Sequence, residues 1–254
     1  MLFVIDVGNT NTVLGVFDGE ELVEDWRIQT HDSRTADEHG SLLRQLFDFA
    51  GISPDELDAA VMSCVVPPME RSLVEMASEY LGLELQIVGR DLTPAIPVEV
   101  ANPEEVGADR LVNALAAWIQ SHSAQIIVDF GTATTFDAIS ADGAYVGGAI
   151  APGITVSSEA LFQMASMLPR VELAKPESVI GQTTVDSMKS GLTFGYIGLV
   201  REIVGRMRRE LGEQTRVVAT GGLAGLLAEE PDIVDVIDKE LTLVGLRDLY
   251  REEA

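Results

Sequence analysis

Apolar residues follow two spacings in the first half of the chain, one typical of strands and one typical of helices. Short continuous or alternating apolar runs bounded by turn residues predict strands, and apolar residues repeated every three to four positions predict helices. The predicted strands are 2–5, 12–17, 21–30, 59–65 and 85–88, and the predicted helices are 38–50, 69–81 and 111–119. The first three strands are joined by tight turns, which predicts an antiparallel arrangement.

The second half repeats this order. Its predicted strands are 125–129, 136–139, 145–151 and 216–219, and its predicted helices are 157–165, 185–211 and 241–251. Each half opens with an apolar strand, continues through Asp-x-Gly at Asp6 or Asp129, and then forms a hairpin whose turn contains Asp-Gly. This repetition predicts two similar α/β domains, 1–118 and 119–254, with a cleft between them. A chance match between short motifs is the alternative.

Composition narrows the classes of partner and the compartment. The 254 residues include 41 acidic and 17 basic side chains, a formal charge of −24, which repels nucleic acid and anionic membrane surfaces. A hydrophobic content of 46% excludes intrinsic disorder. Cys64 is the single cysteine, so no intramolecular disulfide forms, and the N-terminus lacks a secretory signal. We expect a cytoplasmic protein that binds neither nucleic acid nor membranes.

The segment Asp6–Thr10, Asp-Val-Gly-Asn-Thr, places a carboxylate at the end of a predicted buried strand. Open sheets bind ligands at the carboxyl ends of their strands, and glycine lets backbone N–H groups approach an anion closely. This composition suits a polyphosphate with a metal held by the carboxylate. An ordinary turn is the alternative, but the second copy at Asp129 favours a ligand site. P-loop and Rossmann fingerprints are both absent from the sequence.

A third polar segment, Asn102–Arg110, leads into the helix predicted at 111–119. Asp109 next to Arg110 places a base beside an anion-binding group: a carboxylate accepts the proton of an alcohol that attacks phosphorus, and a guanidinium binds a substrate carboxylate. Alternatively, Asp109 is a helix N-cap and Arg110 its solvated neighbour. Spacing alone leaves both interpretations open. His31, His39 and His122 show no metal-ligand spacing.

Together these motifs resemble the type III pantothenate kinases. The resemblance rests on Asp6–Thr10, Gly107–Arg110 and Asp129–Ala133 in that order and spacing. It continues through five further segments along nearly the whole chain, namely 147–153, 184–188, 190–191, 220–222 and 241–247. The resemblance implies two tandem actin-like (ribonuclease H-like) domains, each with a mixed sheet, and a nucleotide cleft between them. It also implies a homodimer that phosphorylates pantothenate with ATP, the first step towards coenzyme A.

Residue roles follow from the same resemblance. It assigns Asp109 as the general base, Asp129 as the ligand of a monovalent cation (K⁺ or NH₄⁺), and Asp6 as an indirect ligand of Mg²⁺. The segment expected to bind the ATP phosphates comprises Asp6, Val7, Gly8, Asn9, Thr10, Asn11, Thr12 and Val13, with Thr132 as a further ATP contact. The residues expected to bind pantothenate are Gly107, Ala108, Asp109, Arg110 and Thr184.

Two points remain open in this assignment. The family usually has a tyrosine two residues before the Asn-Pro pair, where this chain has Val100, so its affinity for pantothenate is in question. Gly221-Gly222 either packs against an adenine ring or forms only a tight turn. The competing functions are a kinase for another small hydroxyl-bearing substrate and a nucleotide-binding regulator without catalytic activity.

Overall fold

Ten strands and six α-helices succeed one another in the residues that the computed structural model describes, 1–227, 230 and 232–253. The strands are β1 (Leu2–Val7), β2 (Asn11–Asp18), β3 (Glu21–Gln29), β4 (Ala59–Cys64), β5 (Leu85–Ile87), β6 (Gln125–Phe130), β7 (Ala133–Ile139), β8 (Tyr145–Pro152), β9 (Arg216–Thr220) and β10 (Val236–Ile237). The helices are α1 (Ala36–Ala50), α2 (Pro67–Met76), α3 (Ala108–Ser121), α4 (Ile154–Met164), α5 (Thr184–Leu211) and α6 (Leu241–Glu253). No helix among these residues is long and apolar enough to cross a membrane.

The predicted strands and helices are confirmed, but several of their ends differ. Helix α3 begins at Ala108, three residues before its predicted start, so Asp109 lies inside the helix. Helix α4 begins at Ile154, and β7 begins at Ala133, directly after the second aspartate turn. Strand β10 has only two residues, too few for a periodic pattern to predict it.

The first sheet has the strand order β3-β2-β1-β4-β5. Strands β1, β2 and β3 pair antiparallel, whereas β4 and β5 run parallel to β1. Because side chains alternate along a strand, Phe3 and Ile5 face a core shared with α1, where the ring of Phe47 meets that of Phe3 edge-on at 5.4 Å between centroids. Asp6 therefore points to the opposite face, which α6 covers by packing against β1, β2 and β4.

The second sheet has the order β8-β7-β6-β9-β10. Its strands therefore take the same places, in the same chain order, as β3-β2-β1-β4-β5 in the first sheet. Strands β6, β7 and β8 pair antiparallel, and β9 and β10 run parallel to β6. Asp6 and Asp129 are both the fifth residue of a six-residue central strand. The predicted repetition is thus confirmed by the pairing of the strands, which short motifs alone could not establish.

By their contacts, the described residues divide into two units. Unit 1 comprises 1–96, 101–119 and the described chain from Glu240 onwards, and unit 2 comprises Pro97–Val100 together with the described residues of Gln120–Lys239. Helix α6 therefore belongs to unit 1 although it follows the second sheet in the sequence. The short segment Pro97–Val100 belongs to unit 2, where Glu99 N–H donates to the carbonyl of Tyr145 at 2.8 Å.

Candidate active site

In unit 1, Asp6 lies half-buried near the carboxyl end of β1. Its register partners are Val13 on antiparallel β2 and Ser63 on parallel β4. Ser63 is fully buried, and its hydroxyl has no hydrogen-bond partner among the described residues. Register partners on parallel strands project to the same face of a sheet, about 4.8 Å apart. A carboxylate and an unsatisfied hydroxyl therefore lie side by side, an oxygen donor set that suits a hydrated divalent cation.

The turn after Asp6 is held by a threonine that sequence reasoning missed. The hydroxyl of Thr30 donates to the carbonyl of Gly8 at 2.7 Å and lies 2.9 Å from the hydroxyl of buried Thr12. The Thr30 N–H also donates to the carbonyl of Thr10 at 3.0 Å. Asn9 and Thr10 are exposed at the tip, which leaves the turn open to a ligand. A threonine just beyond β3 has no signature in the sequence, because the contact depends on the β2–β3 pairing.

In the same unit, Asp109 occupies the first turn of α3. The carbonyl of Gly107 accepts the N–H groups of Arg110 and Leu111 at 3.1 and 3.3 Å, so Gly107 and not Asp109 is the N-cap residue. The Asp109 carboxylate accepts the Arg110 N–H at 2.9 Å. A Cβ on Gly107 would lie 2.5 Å from Asp109 Oδ1, so a side chain at this position would displace the carboxylate. The helix N-terminus stabilises the negative charge, and the Arg110 side chain is half-buried beside it.

In unit 2, the Asp129 carboxylate lies against glycine. Asp129 is half-buried at the end of β6, with Thr135 on β7 and Thr220 on β9 as its register partners. Gly221 follows with φ +87°, and a Cβ there would overlap Asp129 Oδ1 and lie 2.8 Å from the Phe130 nitrogen. Gly221 therefore forms a turn that only glycine accommodates. Its contact with an adenine ring stays a prediction.

A second glycine fixes the turn after Asp129. The Gly153 N–H donates to the Thr132 carbonyl at 3.1 Å, and a Cβ on Gly153 would overlap that oxygen. Gly131 and Thr132 are both exposed at the tip of the turn. Gly153 immediately precedes α4, so the start of this helix is tied to the turn. Sequence reasoning included Gly153 in a family motif but did not predict this contact.

Beneath the turn, Tyr196 on α5 forms a buried polar contact. Its hydroxyl is hydrogen-bonded to that of Thr134, and its ring packs against Phe130 with 6.0 Å between centroids. Burial raises the pKa of Tyr196 to about 12, and the negative charge of Asp129 adds to that increase. Tyr196 thus remains protonated at neutral pH and supports the strand that carries Asp129.

Two further predicted residues lie elsewhere in unit 2. Thr184 is exposed as the first residue of α5, next to the N-cap Thr183, whose hydroxyl accepts the Asp186 N–H at 3.1 Å. Val100 is half-buried, and its Cγ1 is 3.8 Å from the position of a Cβ on Gly147. Valine therefore lies against β8 at the position where the family usually has an aromatic ring.

The remaining candidates are the single cysteine and the histidines. Among the described residues, no three His, Cys, Asp or Glu side chains are grouped closely enough to hold a metal ion. The Cys64 thiol donates to the carbonyl of Val66 at 3.3 Å, and burial raises its pKa. His39 is buried in α1, where burial lowers its pKa and the charge of Arg34 lowers it further.

Comparison with known proteins shows which family this chain belongs to. A family model described as type III pantothenate kinase matches residues 2–206. The chain is 52% identical over 250 residues to a protein named type III pantothenate kinase from Myxococcus xanthus, with 98% of each chain covered. It is 51% identical over 250 residues to the protein of the same name from Geobacter sulfurreducens, again with 98% of each chain covered.

Solved structures establish the fold. The chain is similar to a Campylobacter jejuni protein described as a Baf family transcriptional activator, with a TM-score of 0.60, 18% identity, and coverage of 99% of this chain and 98% of that one. It is also similar to a Sinorhizobium meliloti protein described as a 2-dehydro-3-deoxygalactonokinase, with a TM-score of 0.60, 13% identity, and coverage of 99% of this chain and 96% of that one. Identities this low show the fold alone. They confirm the predicted α/β fold with a mixed sheet in each half of the chain.

Proposed function

The chain belongs to the type III pantothenate kinase family, and from this we propose that it transfers the γ-phosphoryl group of ATP to the primary hydroxyl of pantothenate. This reaction is the first step of coenzyme A biosynthesis. The observation that carries the proposal is full-length identity of 52% to a relative of that name. Asp6, Asp109 and Asp129 are all present, each next to a glycine that has no room for a side chain or lies in a tight turn.

Asp109 is the proposed general base. The hydroxyl oxygen of pantothenate attacks the γ-phosphorus, the bond from that phosphorus to the β-phosphate oxygen breaks, and ADP leaves. The hydroxyl proton passes to the Asp109 carboxylate. The position of Asp109 over Gly107 supports this role, because the half-buried carboxylate is held in the first turn of α3 and not deep within the helix. Arg110 is proposed to bind the pantothenate carboxylate together with Gly107 and Ala108.

The Asp6–Val13 segment is proposed to bind the ATP phosphates through backbone N–H groups, as the open turn supports. Asp6, next to the unsatisfied Ser63 hydroxyl, fits a hydrated Mg²⁺ ion. When bound, Mg²⁺ neutralises charge that develops on the transferring phosphoryl group. The chain has only three lysines against fourteen arginines, so lysine contributes little to this neutralisation.

In unit 2, Asp129 is proposed to bind K⁺ or NH₄⁺, and Thr132 to contact ATP. The contact of Gly221 with Asp129 supports the cation site, because a Cβ would fill the space beside the carboxylate. The donors available there are oxygens, which suit hard cations. Such an ion supplies positive charge near anionic substrates in a chain whose net charge is −24. Thr184, exposed at the start of α5, is proposed to contact pantothenate.

A homodimer is proposed through apolar residues of unit 2. Of the twelve most exposed large apolar side chains in the described residues, nine belong to this unit. They are Ile150, Val156, Leu161, Phe162, Met164, Met167, Val179, Ile180 and Val185. This concentration of exposed apolar side chains in one unit favours a protein interface there. Light scattering should show a dimer that Met167→Glu weakens, whereas Phe49→Glu, at an 88% exposed position of unit 1, leaves it unchanged.

The direct test is turnover. Purified protein with ATP, Mg²⁺, KCl and pantothenate should release ADP and form 4′-phosphopantothenate, detected by mass spectrometry. Asp109→Asn should lower kcat by roughly 10²–10⁴-fold with stability retained, because an amide cannot accept the proton. Asp25→Asn, at an exposed position on β3, is the matched control and should leave kcat unchanged.

Two other results would overturn the proposal. Phosphorylation of a different hydroxyl compound, with none of pantothenate, would assign another substrate. Nucleotide binding without transfer to any acceptor would favour a regulator. The cytoplasmic location, and the absence of nucleic-acid and membrane partners, stay predictions from the sequence.

A further inference from the structure

The closing helix α6 lies outside the 2–206 segment that the family model matches, and no step of the proposed function uses it. Its sequence Leu241-Thr-Leu-Val-Gly-Leu-Arg247 is nevertheless one of the motifs of the family resemblance. Leu241, Leu246 and Leu249 are fully buried in unit 1. Burial explains these leucines, but it does not explain the threonine and the glycine among them.

Thr242 is explained by a hydrogen bond to the helix that carries Asp109. Its hydroxyl donates to Asn113 Oδ1 at 2.7 Å. Asn113 is only 1% exposed and lies four residues after Asp109, which places both side chains on the same face of α3. A hydrogen bond to a buried amide restricts the rotation of α3 about its own axis. Thr242 therefore influences the direction in which Asp109 projects.

Gly245 is explained by a close approach of the two helix backbones. A Cβ at this position would lie 2.6 Å from the Val112 carbonyl oxygen and 3.2 Å from the Cβ of Ala116. The Val112 carbonyl is part of the α3 backbone and cannot move unless the helix moves. Gly245 therefore determines how closely α6 packs against α3 at Val112, which lies three residues beyond Asp109.

On another side, α6 is anchored to the strands that lead to the Asp6 turn. Leu243 Cδ1 and Val4 Cγ2 each lie 3.1 Å from the position of a Cβ on Gly15 of β2. Val4 is two residues before Asp6 on the same face of β1. Arg247 Nη1 donates to the Glu20 carbonyl at 2.8 Å, which ties α6 to the β2–β3 turn.

We propose that α6 positions the general base: Gly245 and Thr242 determine the place of Asp109 relative to the strand that carries Asp6. This inference rests on the proposed function, in which Asp109 accepts the substrate proton. The two residues contact neither substrate and are positioning residues. The motif 241–247 then contributes to catalysis by packing against α3, the helix that carries Asp109.

The first test replaces the two residues and measures kcat and KM separately. Gly245→Ala should lower kcat by about 10²-fold, because a displacement of about 1 Å costs that much in a phosphoryl-transfer geometry. The KM for ATP should change less than threefold. Gly198→Ala is the matched control, since this helical glycine on α5 is exposed and has no atom within 4 Å of its added Cβ. It should retain wild-type kcat.

A milder pair of variants covers the case in which Gly245→Ala does not fold. Thr242→Val keeps the shape of the side chain but lacks the hydroxyl, and should lower kcat by about tenfold at a temperature well below its unfolding transition. Thr242→Ser keeps the hydroxyl and should restore at least half of the wild-type kcat. Equal kcat in the valine and serine variants would overturn the proposal.

Combining Thr242→Val with Asp109→Asn separates positioning from general destabilisation. Once the base is removed, its position no longer matters, so the second substitution should lower the residual kcat by less than twofold. A tenfold loss in both backgrounds would show that Thr242 acts only through stability. Wild-type turnover of pantothenate is measured first. Its absence would refute the proposed function itself, whereas its presence with unaffected α6 variants would refute only this inference.

Discussion

The two aspartate turns have the same strand geometry but are held in place by different means. In unit 1, the Thr30 hydroxyl holds the Gly8 carbonyl at 2.7 Å, and the tip of the turn is open. In unit 2, two backbone segments press against the turn, Gly221 against Asp129 and Gly153 against Thr132. A side-chain hydrogen bond lets a turn adjust to a ligand, whereas backbone packing does not. We therefore expect the turn in unit 1 to be the more adaptable one and the turn in unit 2 the more rigid one.

The residues beside the two aspartates extend this comparison. Ser63 and Thr220 occupy the same register position in the two repeats, and both are buried. In unit 1 the carboxylate lies next to an unsatisfied hydroxyl, which suits an ion that retains its water molecules. In unit 2 the backbone of Gly221 lies directly against the carboxylate. If both proposed assignments hold, one duplicated strand end provides two cation sites of different character.

The largest effects are expected when each aspartate is removed. Asp6→Asn should lower kcat by roughly 10²–10³-fold and raise the Mg²⁺ concentration needed for half-maximal activity, because several kcal/mol of charge stabilisation depend on that site. Asp129→Asn should instead raise the K⁺ concentration for half-maximal activity by about tenfold. Titrating each salt at fixed ionic strength distinguishes the two. If Asp129→Asn alters only the Mg²⁺ requirement, the assignment of the two sites is wrong.

The rigid turn should tolerate an added methyl group far less than the adaptable one. Gly221→Ala, at φ +87° and in conflict with Asp129, should lower kcat by about 10²-fold. Gly8→Ala meets one atom, the Asn11 carbonyl oxygen at 3.0 Å, and its φ lies outside the left-handed region, so a loss below about tenfold is expected. Steady-state kinetics of both folded variants provide the measurement. Equal losses would contradict the difference in rigidity.

The adaptable turn should depend on the Thr30 hydroxyl. Thr30→Val removes the hydrogen bonds to Gly8 and Thr12 and should raise the KM for ATP about tenfold, the equivalent of about 1.4 kcal/mol. Thr30→Ser retains the hydroxyl and serves as the control. The comparison fails if the valine variant binds ATP as tightly as the serine variant does.

The smallest expected effects are on the pH dependence of stability. The His39 group in unit 1 should lower stability towards acid pH, and the Tyr196 group in unit 2 towards alkaline pH. The pKa of His39 in unit 1 is lowered by burial, so the unfolded chain binds its proton first and stability falls as pH drops below about 6.5. The pKa of Tyr196 in unit 2 is raised to about 12, so stability falls as pH rises from about 10 to 12. Each slope is at most about 1.4 kcal/mol per pH unit.

Urea unfolding of His39→Gln and Tyr196→Phe checks this. The first variant should flatten only the acid limb of the stability profile, and the second only the alkaline limb. A wild-type acid limb in His39→Gln would assign the acid sensitivity to other groups.

Much of the fold followed from the sequence because the signals are local. The repeated Asp-x-Gly turns, the Asp-Gly hairpins and the helical spacing of apolar residues need only neighbours along the chain, so the strands around Asp6 and Asp129 were predictable. The start of α3 was less predictable. Gly107 gave no cap signal of the Ser or Asp type, and Asp109 was equally compatible with an N-cap and with a general base before a helix predicted to begin at residue 111.

Contacts between distant segments account for what the sequence left undetermined. Thr30 meets Gly8 because two hairpin strands pair in one register, and Gly221 meets Asp129 because β9 lies beside β6. The place of α6 was equally unpredictable. Its amphipathic pattern requires an apolar partner but does not specify which of two similar sheets provides it.

By itself, then, the sequence determined the two-fold α/β repeat, the family and the three aspartates, all of which rest on local spacing and residue type. The tertiary structure decided how those aspartates are held. It placed an unsatisfied hydroxyl beside Asp6, glycine backbone against Asp129, and α6 against the helix that carries Asp109. Close packing brings residues far apart in the chain to within 3 Å, and no periodic pattern encodes those approaches.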